Sequence, residues 1–246
     1  MKAQPIVGPC FFALLGENLF VSRSFIFVLC WMPLFFTTKA EQYEEMILQD
    51  KPSLYFRFND VEGTRIPSKV GNLFADMVGK VDVVSPGPLA KYYPHFNSDN
   101  KAIRLSGGQQ YLRLKDPGSK SVLDFNNGDS ITLEAWVNPT SVSTYSYIIG
   151  KGRTQNSGMP TNNQNYSLRL TSVKAGRVGI SFLFRNKVNK EDADWHRWTS
   201  SSGFTLGAWH HVAISYTYGD SKSIRGYIDG LPVKGVWDKG GETADE

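Results

Sequence analysis

Short runs of alternating apolar and polar residues recur along most of this chain, and the clearest of them lies near its end. Along Trp209–Tyr216, Val212, Ile214 and Tyr216 share one parity, and Trp209, His211 and Ala213 the other. Strand side chains switch faces at every residue, so this spacing predicts a strand rather than a helix. A polar break at Gly219, Asp220 and Ser223 is turn chemistry, and a second alternating run follows around Ile224 and Ile228. Asp229-Gly230 then supplies the positive-φ pair that a tight hairpin wants. Two consecutive hairpins are predicted here.

The same pattern upstream predicts strands at Ser53–Phe58, Ala102–Leu105, Tyr111–Leu114, Ile131–Val137, Tyr147–Gly150, Tyr166–Leu170 and Arg177–Phe184. In the first, Leu54, Phe56 and Phe58 are expected inward. On Ile131–Val137, Ile131, Leu133, Ala135 and Val137 form one face, and Thr132, Glu134 and Trp136 the other. Pro139 cannot donate to a ladder and stops that strand. Glu41–Gln49 has helical character, with Tyr43, Met46 and Ile47 at i, i+3 and i+4, and Pro52 closes it. From Asn59 to Asn100 the chain is loop-rich, with short apolar pieces at Leu73–Val78 and Val81–Val84. No long run repeats every 3.6 residues, and Gly, Asn, Ser and aromatics are plentiful. The class is all-β, a sandwich or barrel.

Three segments resemble one family. W-H-H-V-A (209–213), followed by an aromatic strand and Y-I-D-G (227–230), is similar to its hairpin. I-T-L-E-A-W-V-N-P (131–139) is similar to its other diagnostic strand, and P-S-L-Y-F-R-F (52–58) to its opening strand. In this order, over roughly Tyr43 to Val236, they resemble the laminin-G-like, concanavalin A-like jelly-roll domain. The resemblance implies a β-sandwich of two antiparallel sheets, and Trp136 and Trp209 are expected to be buried anchors of two neighbouring strands. It is specific for fold, because such sandwiches serve lectins, glucanases and adhesion modules alike. In the family, further strands follow the Y-I-D-G hairpin. Here Leu231–Trp237 leads into Asp238-Lys239-Gly240-Gly241 and T-A-D-E, without apolar alternation. The expectation is a copy truncated at its C-terminus, the last strands missing.

Residues 24–36 form a short apolar block after Arg23, and Thr38 and Ala40 sit like the small residues of a signal-peptidase site. The block suits a secretory leader and is short for a membrane span. The expected division is a leader over 1–40, cleaved or kept as an anchor, and one jelly-roll domain over 41–246. Glu17 ahead of the block makes an overlong n-region, which a start at Val21 would shorten. Both cysteines, Cys10 and Cys30, fall in the leader, so core burial alone holds the domain. The net charge of +4 is too mild to imply nucleic acid or an anionic membrane as partner.

Candidate chemistry is sparse. Paired carboxyls of a retaining glycosidase would sit at alternate strand positions, but Glu134 has no acidic neighbour at 132 or 136. Glu191, Asp192 and Asp194 lie in a Lys/Asn-rich stretch. No G-x-S-x-G and no metal-spaced histidine pair occur, and His210 and His211, adjacent on a strand, point to opposite faces. A rim Ca²⁺ could use Asp60, Asp76 and Asp82, although loop aspartates commonly only make turns. Trp195, His196, Arg197 and Trp198 stand in a polar segment. They suit stacking on a sugar or a protein partner, or else close over the core as a packed loop. The resulting expectation is a non-catalytic binding or adhesion module of a bacterial exported or envelope protein, with a glycan or an extracellular protein as partner. The alternative is a degenerate or active glycan hydrolase.

Overall fold

The computed structural model describes residues 39–84, 86–142, 145–152, 164–186 and 195–240, all within one compact unit, 37–246. The expected leader and the Glu191-Asp192-Ala193-Asp194 stretch therefore lie outside the described residues, apart from the end of the leader at Lys39 and Ala40.

Helix α1 (Lys39–Gln49) opens the described chain. Five short strands follow: β1 (Arg65–Pro67), β2 (Phe74–Val78), β3 (Asp82–Val84), β4 (Ala102–Arg104) and β5 (Tyr111–Leu114). They pair as a three-stranded sheet, β1-β2-β5, and a two-stranded one, β3-β4. The strand expected at Ser53–Phe58 does not form. Phe56 makes one isolated bridge to Ser68, and the backbone of Tyr55 is taken up by the Ser68 Oγ (3.2 Å) and the Lys69 amide (2.7 Å). With its polar backbone groups spent on a loop, the segment has no ladder to join.

The sandwich is built from β6 (Ser130–Val137), β7 (Ser146–Lys151), β8 (Tyr166–Ser172), β9 (Val178–Arg185), β10 (Trp195–Ser200), β11 (His210–Thr217), β12 (Asp220–Ile228), β13 (Leu231–Val233) and β14 (Gly235–Lys239). One sheet runs β14-β10-β9-β8-β7 and the other β13-β12-β11-β6, antiparallel throughout. The two predicted hairpins are β11–β12 and β12–β13. Asp229 and Gly230 turn the second with φ of 52° and 75°.

The inner faces follow the alternation. Val212, Ile214 and Tyr216 of β11 join Ile131 and Ile228, and from the opposite sheet come Leu168, Leu170, Ile180, Phe182, Phe184 and Trp198. Burying each such side chain contributes roughly 1.5–3 kcal/mol. Tyr216 sits between Phe182 (5.5 Å), Phe184 (5.4 Å) and Trp237 (5.5 Å), which ties the sheets at the centre.

Two expectations need correction. Trp136 has the parity read from the sequence, but that parity faces away from the sandwich core. It lies half-buried against Tyr93 (4.8 Å) and Phe96 (5.1 Å), and its Nε1 donates to the Tyr43 hydroxyl of α1 (2.9 Å). Trp209 precedes β11, half-buried, with its carbonyl accepting from the Tyr93 hydroxyl (2.6 Å). Neither is a core anchor. The chain beyond Tyr227-Ile228-Asp229-Gly230 also adds more than expected. It completes β13, then crosses sheets near Lys234 so that β14 borders β10 and Trp237 packs on the core.

Candidate functional site

The sequence makes the five-stranded sheet two-faced in an unusual way. Its inner parity is apolar, but the outer parity of β8 reads Ser167, Arg169, Thr171, and that of β9 reads Gly179, Ser181, Leu183, Arg185. Strand β10 contributes Trp195, Arg197 and Thr199 outward. Register lines these up in rows, Arg169 beside Ser181 beside Thr199, and Ser167 beside Leu183 beside Arg197. Polar outer positions on a sheet normally meet water. Here Ser167 and Ser181 are 0 % exposed and Arg169 is 5 % exposed.

Trp195, His196, Arg197 and Trp198 are thus strand residues, not a loop. His196 (2 % exposed) and Trp198 (3 %) point into the sandwich. His196 stacks on Phe184 at 4.8 Å. The Trp198 ring passes so close to Gly226 and Gly235 that a Cβ on either would fall within 2.5 Å of it. Both residues are corrected from surface contacts to core. Trp195 and Arg197 lie on the outer face, half-buried.

Around them stand residues that were not singled out from the sequence. Tyr145, between β6 and β7, lays its ring 4.2 Å from the Arg169 Cζ and 5.1 Å from the Arg197 Cζ, and Tyr147 lies 5.7 Å from Arg169. Arg169 Nη2 donates to Ser181 Oγ (3.1 Å), and Arg197 Nε to Asp238 Oδ1 (2.6 Å). Arg185 lies over the Trp195 ring at 5.3 Å. Burial pulls the Arg169 guanidinium below its ordinary pKa. Tyr147 and Tyr145 oppose that, and the like charge of Arg197 adds to it. An arginine stays cationic even so. Among the described residues of this face, Ser167 Oγ, Arg169 Nε and Thr199 Oγ1 are buried without a hydrogen-bond partner. Leaving such groups unmet costs about 1–3 kcal/mol each, so their clustering on one face needs a cause. The sequence signal was there: a serine, an arginine and a threonine alternating with Tyr166, Leu168 and Leu170.

The remaining candidates are dispersed. Asp60 pairs with Lys69 (2.8 Å) and Asp76 with Arg65 (3.3 Å), while Asp82 lies exposed on β3. These three, considered for Ca²⁺, do not gather. Among the described residues no three His, Cys, Asp or Glu side chains do. His210 and His211 face opposite ways as expected, His210 toward Phe204 (4.4 Å) and Asp229 (2.7 Å), His211 toward Trp136 (5.4 Å) and Glu134 (3.7 Å). The assembled chemistry is that of the outer sheet face: guanidinium, aromatic ring and hydroxyl, with one carboxylate, Asp238, among the described residues.

No curated protein and no solved structure matches the chain. A laminin-G family model, described as the concanavalin A-like lectin/glucanases superfamily, matches residues 106–245. The match spans every strand of the sandwich, starts beyond the Ser53–Phe58 segment, and covers more than half the chain. With the antiparallel two-sheet architecture, it establishes that the chain belongs to the concanavalin A-like lectin/glucanase superfamily.

Proposed function

We propose that this chain is a binding module rather than a hydrolase, and that it binds through the outer face of the five-stranded sheet. The observation that carries this is the cluster of unpartnered buried polar atoms, Ser167 Oγ, Arg169 Nε and Thr199 Oγ1, beside Tyr145 and Trp195. Sugars offer hydroxyls that meet such donors and acceptors, and ring faces that lie on aromatics. A retaining glycosidase needs two carboxyls about 5–5.5 Å apart. Among the described residues this face carries only Asp238, and Arg197 already engages it.

The leader pattern of residues 24–36 supports export, to the periplasm, the cell envelope or the medium, which makes an extracellular glycan or protein the occupant. Among the described residues no helix is long and apolar enough to cross a membrane. Recruitment of an attached protein to its target is the role this favours.

A glycan array run with a reducing-sugar assay tests the reading. The expected result is retained glycan, no released sugar, and binding weakened at least about tenfold by Tyr145→Ala with the melting temperature unchanged. Released sugar would make the chain a hydrolase. Silence in both assays would leave a protein partner as the occupant.

A further inference from the structure

We propose that the free edge of β6 pairs with β6 of a second copy of this chain, joining two four-stranded sheets into one of eight strands. Among the described residues the sandwich ends in four edge strands, β7 and β14 of one sheet and β6 and β13 of the other. Edges commonly carry a feature that prevents further pairing, such as brevity, a proline or a bulge. Strand β13 has three residues and holds Pro232, and β7 and β14 each shift register against their neighbours. Strand β6 runs eight residues against β11 with no shift and no proline, and Glu134 is its one charge.

The register says which backbone groups this edge offers. The His211 carbonyl accepts from the Asp229 amide (2.8 Å), so His211 turns its backbone toward β12 and away from Trp136, its partner on β6. Ladder bonds alternate along an antiparallel pair. Ser130, Thr132, Glu134 and Trp136 therefore direct N–H and C=O to the open edge, while Ile131, Leu133, Ala135 and Val137 bond β11. The core is also less covered here: Ile131 is 3 % exposed, but Leu133, Ala135 and Val137 on the same face are only half-buried.

Self-pairing restricts its own register. A two-fold axis centred on Leu133 or on Glu134 keeps nearly the whole strand overlapped. Centred on Glu134, it would set two carboxylates directly opposite, which destabilises a sheet. Centred on Leu133, it places each Glu134 beside the second copy's Thr132, whose hydroxyl can donate to the carboxylate. That axis stands normal to the sheet, so the two five-stranded sheets turn their outer faces the same way. A surface bearing repeated ligands would then be gripped twice, although the pairing does not depend on that face being the binding surface.

The test measures the mass of the full chain by light scattering behind size exclusion at several concentrations. Twice the mass of one chain is expected, falling toward one on dilution. Thr132→Pro removes an N–H that points to the open edge, so it should give a monomer. Its melting temperature should match the parent's at a dilution where the parent is also monomeric. Thr132→Glu and Thr132→Lys change an exposed side chain and decide the matter even if the proline variant fails to fold. Each acts twice across the axis, so the glutamate should weaken the dimer about tenfold and the lysine, facing Glu134, should tighten it. A parent that stays monomeric at every concentration would overturn the proposal. So would a dimer that Thr132→Pro leaves intact, as one held by the apolar leader would be. Equal weakening by glutamate and lysine would overturn the axis at Leu133.

Discussion

Trp198 shows how single positions decide this fold. Its indole occupies space that β12 of the other sheet and β14 beside it in its own sheet can provide only by lacking a side chain. The Cβ of an alanine at Gly226 would stand 2.5 Å from its Cη2, and one at Gly235 would stand 2.2 Å from its Cζ2. Neither glycine has the left-handed conformation that would explain it otherwise, so close approach is the reason. Gly226→Ala is therefore expected to cost about 1–3 kcal/mol, the range for overpacking a filled core. Urea unfolding measures it, and a change below about 0.5 kcal/mol would mean the ring has room to move. A second position is pH-sensitive. Burial on the outer side of β11 holds the His211 imidazole below its ordinary value of 6.5, although Glu134 and Asp229 pull it up. Between the folded and unfolded values the unfolded chain binds more protons, so stability falls as pH drops below about 6.5. One group limits the slope to about 1.4 kcal/mol per pH unit. His211→Gln should flatten that limb; parallel curves for parent and variant would dismiss the histidine as its source.

At the level of elements, legibility followed the contrast between the two faces of each strand. Strands β6 and β11 put Ile131, Leu133, Val212, Ile214 and Tyr216 on one side, and, Trp136 apart, the residues between them are polar or small enough for the period to be visible. Strand β10 hides its period. Its inner side carries His196, Trp198 and Ser200 and its outer side Trp195, Arg197 and Thr199, so large and polar residues occur on both. Sequence reasoning placed these residues in a loop, because only neighbouring strands decide which parity is core. The converse occurs at Ser53–Phe58. Its alternation is clean, but Phe56 bridges a loop residue and nothing more. The outer face of the five-stranded sheet was least legible. Arg169 and Tyr145 lie far apart in sequence and are brought together only by the pairing of β7 with β8. What could be read was the anomaly of polar residues within β8, not what they meet.

Across the whole molecule, neutral phenols sit at both levels of packing, and that gives the fold an alkaline limit. Tyr166 belongs to the core between the sheets, where burial pushes its pKa up to about 12 and its hydroxyl donates to the Leu123 carbonyl (3.2 Å). Tyr55, in the chain leading from α1 to β1, is likewise pushed up to about 12 by burial. Tyr43 and Tyr93, which cover the outer side of the four-stranded sheet around Trp136, are also raised, with burial the largest cause. A phenol raised in the fold keeps its proton while the unfolded chain begins to lose its own near pH 10. The folded state then binds more protons, so this stability is complete below about pH 10 and is lost as pH rises toward 12. Phenolate absorbance should therefore show late, cooperative ionisation of part of the tyrosines, coinciding with loss of the β-sheet signal in circular dichroism. Tyr166→Phe keeps the ring against Phe125 (5.5 Å) and removes the ionising group, so its stability should decline less steeply over that range. The predicted relief is at most about 1.4 kcal/mol per pH unit, the share of one proton. Complete ionisation near pH 10 with the sheets intact would show that water reaches these phenols freely, and the burial argument for both layers would fail.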